Sequence, residues 1–238
     1  MFCRKPSGAA RASVSPTTGT VAPMAEPADP VPPDIPEELA SWTSASLVDE
    51  ELDGVLAEGL EASGATATGL RIAESRVLDA DLSESSMERA VVRDVGWAGG
   101  SLANARLRDV RITRSRVEGV RATGLDLTRC SLDSVVFVDC RLDLALFRAS
   151  RMDRVRFEGC RLEDADFFEA SFSSVVFEDC DLRAVNWAGA SFSRSELRGC
   201  ELTGGLSLER LRGVRMPWDD VIRSAGEIAI AAGIEIVE

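Results

Sequence analysis

VVFVDCRL (135–142), VRFEGCRL (155–162), VVFEDCDL (175–182) and SELRGCEL (195–202) align without a gap at intervals of twenty residues. The alignment puts Phe137, Phe157 and Phe177 in one column and Cys140, Cys160, Cys180 and Cys200 in another. A shorter period lies inside this one. From Ile72 to Leu202 every fifth residue is apolar, through Val77, Leu82, Met87, Val92 and Trp97 and onward without a slip of phase. Two residues before each sits an uncharged and mostly small side chain, as at Ala80, Ser85, Ala90, Ala105, Ala145 and Ala165. The other three positions of each five carry all the charge.

A period of five matches neither an α-helix nor an ordinary strand. It marks a repeat architecture, in which each unit buries its apolar face only against its neighbours. Four fives make twenty, so the chain returns on itself after four short sides. Like residues then stack at about 4.8 Å per coil. The stretch 72–202 predicts an all-β solenoid, a quadrilateral β-helix of about seven coils. Phe137, Phe157, Phe177 and the cysteine column are its core. Aromatic residues crowd the C-terminal half, which is expected to be the better packed.

The segments ADLSE (80–84) and ADFFE (165–169) fit the pattern A(D/N)LXX, and ARLRD (105–109) and ASFSS (170–174) keep its small and large positions. Over about 130 residues the chain resembles the pentapeptide-repeat family, in particular its single-domain members from high-GC bacteria. The resemblance implies a right-handed β-helix. In several members a C-terminal helix joins two subunits. Members of the quinolone-resistance type resemble acidic rods and bind DNA gyrase in place of DNA, so a topoisomerase partner is one implied function.

Around the repeat, residues 1–38 hold eight of the nine prolines and few large apolar residues. They are expected to be a disordered acidic tail. Residues 39–71 read as a short N-terminal cap helix, from a capping box at Ser46–Asp49 and a face of Val48, Leu52, Val55, Leu56 and Gly59. The alternative is a degenerate first coil, because Leu47, Leu52 and Ala57 keep the phase of five. The solenoid spans 72–205. In 206–238, Pro217 starts a helix whose stripe of Trp218, Val221, Ile222, Ala225 and Ile228 either caps the last coil or forms a homodimer.

The net charge of −13 is unevenly placed. From 26 to 61 there are 11 acidic residues and no basic one. From 72 to 205 there are 23 acidic residues against 19 arginines. On the rod, Glu158, Glu163, Asp164, Asp166, Glu169, Glu178, Asp179 and Asp181 form an acidic end at outward positions. Arg106, Arg108, Arg111, Arg114, Arg116 and Arg121 make a basic end nearer the N-terminus. The acidic eight are the candidate partner-binding residues. Val136, Val138, Leu144, Leu146 and Phe168 are outward apolar residues that would form a contact patch.

The chain has no histidine, and its single lysine is Lys5. Ser-His-Asp and Cys-His catalysis, histidine metal sites and the phosphate-binding lysine loop are therefore absent. A straight cysteine ladder lacks the convergence that a metal site needs. No cofactor, metal or catalytic residue is expected. No stretch is apolar over the length of a bilayer, so a cytoplasmic protein is expected, without membrane insertion or direct nucleic-acid binding. The reading is a non-enzymatic interaction module with a protein partner. The alternatives are topoisomerase binding and a targeting role carried by the acidic tail.

Overall fold

A computed structural model describes residues 25–42 and 51–237 of the chain. A parallel solenoid fills most of it. The strands Arg71–Leu78, Val91–Ala98, Arg111–Glu118, Ser131–Val138 and Arg151–Glu158 lie side by side, each displaced by twenty residues from the last. Phe137 pairs with Val117 and Phe157, and Phe157 pairs with Phe177, as the twenty-residue alignment requires. The square closes because every fifth backbone turns a corner in the left-handed region, as at Glu74, Asp79, Glu84 and Arg89. The corner N–H groups donate to the next coil, for example Asp139 to the Glu158 carbonyl at 2.9 Å. Each side is thus tied to its neighbour by backbone, whatever the outward side chains are.

The core is the apolar column. Phe157 lies between Phe137 and Phe177, with ring centroids 4.9 and 4.8 Å away and planes within 6°. Phe147, Phe167 and Trp187 stack likewise on the facing side and meet the first column edge-on. The N-terminal half has smaller side chains for the same cross-section. There, Val92, Trp97, Leu107 and Val117 line an internal apolar cavity of about 70 Å³. The two halves share one backbone but differ in packing, because only the second fills the square with rings.

The rod has about eight turns, one more than 72–202 accounts for. The extra turn comes from residues 51–71. Strands β2 (Glu51–Asp53) and β3 (Val55–Glu58) pair with Arg71–Leu78, so Leu52, Val55, Leu56 and Gly59 belong to a first coil and not to a helical face. The five-residue phase of Leu52 and Ala57 outweighed the helical spacing, since both side chains bury in the square. The capping box at Ser46–Asp49 lies outside the described residues. Strand β1 (Ala40–Trp42) pairs with β3 and covers the exposed edge of that first coil.

Residues 25–38 also depart from expectation. They build no core of their own, yet they are placed on the rod. Glu26 meets Arg215 at 3.4 Å, Asp29 pairs with Arg156, and the Asp34 N–H donates to Asp94 Oδ1 at 3.0 Å. A chain already stiffened by prolines loses little further entropy when laid against a prepared surface. At the other end, the expected single helix is two short ones, α1 (Trp218–Arg223) and α2 (Ala225–Ala231), which meet at Ser224.

Candidate functional site

The acidic residues are not brought together on one face. Asp164, Glu169 and Asp179 occupy corners, each with positive φ. Glu158 and Glu178 share one side, and Glu163 and Asp181 share the next. Asp166 is buried, not outward. It sits at the first position after the small residue, where its Oδ1 accepts the Phe168 N–H at 2.9 Å and its Oδ2 takes Arg148 Nε at 2.6 Å. Asp81, Asp126, Asp181 and Asn186 accept from the residue two further on in the same way, so these side chains brace the turn before each corner.

Arginines from the same or the adjacent coil neutralise much of the remaining charge. Arg183 bridges Glu163 at 2.9 Å and Asp181 at 2.7 Å, and Arg198 meets Glu178 at 2.6 Å. The Arg183 guanidinium holds the Asp181 carboxyl below the ordinary carboxylate range. The basic end is paired too: Arg108 with Asp126, Arg116 with Glu118, and Arg114 with Asp94. Asp94 is almost wholly buried and binds Arg114, Arg93 and the Asp34 amide together. The Arg114 contact lowers its pKa. The contribution of this ionised carboxylate, including its hold on the Asp34 amide, is therefore present above the ordinary carboxylate value of about 4 and is lost as pH falls below the depressed one, while the β1–β3 backbone pairing remains.

The cysteine column is interior. Cys140, Cys160, Cys180 and Cys200 are buried free thiols, and each donates to the carbonyl 23 residues earlier, at 3.3–3.5 Å. Cys130 fills the same corner role, where burial pushes its thiol up to about 12. Thiols so buried pack as small apolar fillers. Among the described residues, no three or more of Cys, Asp and Glu are placed to hold one ion. No helix among them is long and apolar enough to cross a membrane.

Of the outward apolar residues, Leu144, Leu146 and Phe168 share one side and its corner, whereas Val136 and Val138 lie on another. The larger apolar surface is at the C-terminus. Trp218 is 74% exposed and Ile222 57%, and Ile230, Ile234, Ile236 and Val237 are also open. The reason is a polar residue. Asp220 is buried and accepts the Gly199 N–H at 2.7 Å. With Asp220 facing the last coil, Trp218 and Ile222, one turn apart on α1, face away from it. Val221 is half-buried, while Ala225 and Ile228 are exposed. The stripe is thus presented and not folded under, a placement that helical periodicity alone left open.

Residues 130–205 match the family model described as pentapeptide repeat region. No curated protein sequence matches the chain. Among solved structures it is similar to HetL, a pentapeptide repeat protein of the cyanobacterium Nostoc sp. strain PCC 7120. That match has 21% identity over 73% of this chain and 92% of the other, with a TM-score of 0.33. It is also similar to QnrB1, a plasmid-mediated fluoroquinolone resistance protein, at 20% identity over 77% and 98% of the two chains, with a TM-score of 0.38. A third is Rfr23 of the cyanobacterium Cyanothece 51142, at 18% identity over 40% and 63%, with a TM-score of 0.22.

Proposed function

We propose, from the match of residues 130–205 to the pentapeptide repeat region model, that the protein is a pentapeptide-repeat protein and a non-enzymatic interaction module that works as a homodimer. The observation that supports this most is the exposed apolar surface of α1 and the C-terminal tail. Monomeric proteins rarely leave contiguous apolar surface uncovered, and an end-mounted patch suits a two-fold contact of like with like. The sides of the rod that residues 25–38 do not cover then remain free for a macromolecular partner. Size-exclusion chromatography with light scattering is expected to give twice the mass of the 25.6 kDa chain. Ile222→Asp is expected to return it to one. A wild-type protein that is monomeric at tens of micromolar would remove the dimer.

A topoisomerase partner is the narrower reading, with QnrB1 as the similar protein. A DNA-like surface needs unbalanced negative charge along one face. Here Arg148, Arg183 and Arg198 pair with Asp166, Glu163, Asp181 and Glu178. That leaves Glu158 and the corner acids Asp164, Glu169 and Asp179 as the contact residues of such a mode. The balance favours a different partner. In a gyrase supercoiling assay with a quinolone present, the protein is expected neither to inhibit nor to protect at micromolar concentration. Protection would reverse this preference.

A further inference from the structure

One outward column of the rod has an order that the repeat does not require. Through successive paired strands it reads Arg76, Gly96, Arg116, Val136, Arg156, Val176, Glu196, Arg215. From Arg76 to Val176, arginine alternates with a small or apolar residue. The column therefore has a two-coil period, about 9.6 Å. Residues 26–36 run along it, from Arg215 back to Gly96. From 26 to 34 their burial has a period of three, with Pro27, Pro30 and Pro33 half-buried and the residues between them exposed, and Ile35 is half-buried two residues further on.

Three residues per turn is the period of polyproline II, whose turn advances about 9.3 Å. The two periods match. The nine residue steps of that helix from Glu26 to Ile35 reach about 28 Å. The six coil steps from Arg215 to Gly96 span about 29 Å. The contacts follow the same order. Glu26 meets Arg215, Pro27 and Val176 line one cleft, Asp29 pairs with Arg156, and Ile35 covers Gly96. Val176 is only 4% exposed although it points outward. A Cβ at Gly96 would lie 3.3 Å from Ile35 Cδ1, so the bare glycine leaves room for the chain above it.

We infer that this column is a docking track for acidic, proline-containing segments in the polyproline II conformation. Residues 26–36 are its resident occupant, and a partner segment of the same chemistry displaces them. Pro27 lies beside Val176, Ile35 over Gly96, and the carboxylates of Glu26 and Asp29 on Arg215 and Arg156, so both apolar contact and charge select the ligand. Because the occupant is tethered, it competes at high local concentration, and a free segment binds only when the resident one is weakened. The inference goes beyond the dimer reading, since the track lies along a side and not at the end of the rod.

The test uses the full-length chain and a fluorescein-labelled peptide of residues 25–38, followed by anisotropy. A chain with Asp29→Arg, Pro30→Gly and Pro33→Gly has its own segment weakened. It is expected to bind the peptide at least tenfold more tightly than the wild-type chain does. Adding Arg156→Glu to that chain is expected to lower the affinity at least tenfold, and a peptide carrying Asp29→Arg to recover it. A peptide with the prolines replaced by alanine is expected to bind at least fivefold more weakly. Equal binding by the wild-type and weakened chains overturns the inference, as does indifference to Arg156→Glu or to the loss of the prolines. The substitutions are on the outer surface, so thermal melts of the variants report directly that the core is intact. The assay involves no outside partner and no dimer, so its failure is separate from failure of the proposed function.

Discussion

Phe157→Ala is expected to cost about 4 kcal/mol, whereas Val117→Ala, two coils earlier in the same column, should cost only about 1 kcal/mol. Phe157 is fully buried, with a ring stacked on each side and Phe147 edge-on at 6.0 Å. Removing it forfeits the transfer energy, two stacking contacts and the packing of a neighbourhood that cannot collapse, because each backbone ladder fixes the spacing. Val117 is smaller and already borders the 70 Å³ cavity, so less contact is lost. Phe157→Asp goes further, because it places a carboxylate where neither water nor a cation reaches. In a repeat protein, stability is nearly a sum of local terms. The damage should therefore divide the rod: urea unfolding followed by Trp187 and by far-ultraviolet dichroism, coincident in the wild type, should separate in Phe157→Asp. Equal losses for Phe157→Ala and Val117→Ala would show that the aromatic stack adds nothing to the aliphatic half.

The columns that carry this difference were legible in the sequence, because burial in a square coil imposes one apolar residue in five and tolerates no charge there. The cysteine column was legible for the same reason. The corners were not. Glu74, Asp79, Glu84 and Arg89 adopt positive φ with no glycine to announce it, since the strain at each is offset by the ladder on either side. The acidic end was misread at Asp166, whose charge looks outward in a pattern of fives but whose carboxylate turns back to brace the backbone. Trp187 fits the ring column by shape, although its indole N–H finds no partner among the described residues. The placement of residues 25–38 was hidden for another reason. Composition reports whether a segment can form a core of its own, and says nothing about a surface elsewhere in the chain whose spacing matches it. The fit of Glu26, Pro27, Asp29 and Ile35 along the column appears only once the coils are stacked.

The end of the rod supplies the second large effect. Along one corner, each N–H donates to the coil that follows: Asp139 to Glu158, Gly159 to Glu178, Asp179 to Arg198, all at 2.9 Å. Gly199 is next in that series, and there Asp220 Oδ2 takes the place of the next carbonyl at 2.7 Å. A side chain from α1 thus completes the ladder where the repeat stops, and Arg223 in turn pairs with that carboxylate. Asp220→Ala leaves a buried donor unsatisfied and unfastens α1, at an expected cost of about 2 kcal/mol. The loss should be local. Hydrogen exchange at Gly199 and through 218–231 should accelerate, while exchange at Phe157 and Phe177 stays slow. Asp220→Asn keeps an oxygen acceptor in the same place and should recover more than half of the stability, so the pair of variants separates the acceptor from its charge. The same substitution bears on assembly. Once α1 is free to rotate, Trp218 and Ile222 are no longer held away from the rod, and the bare edge of the last coil is open to pair with another chain. Asp220→Ala is therefore expected to lose the defined dimer and to gain larger aggregates. A variant that stays dimeric with unchanged exchange at Gly199 would mean that α1 is held by its other contacts and that the carboxylate is incidental.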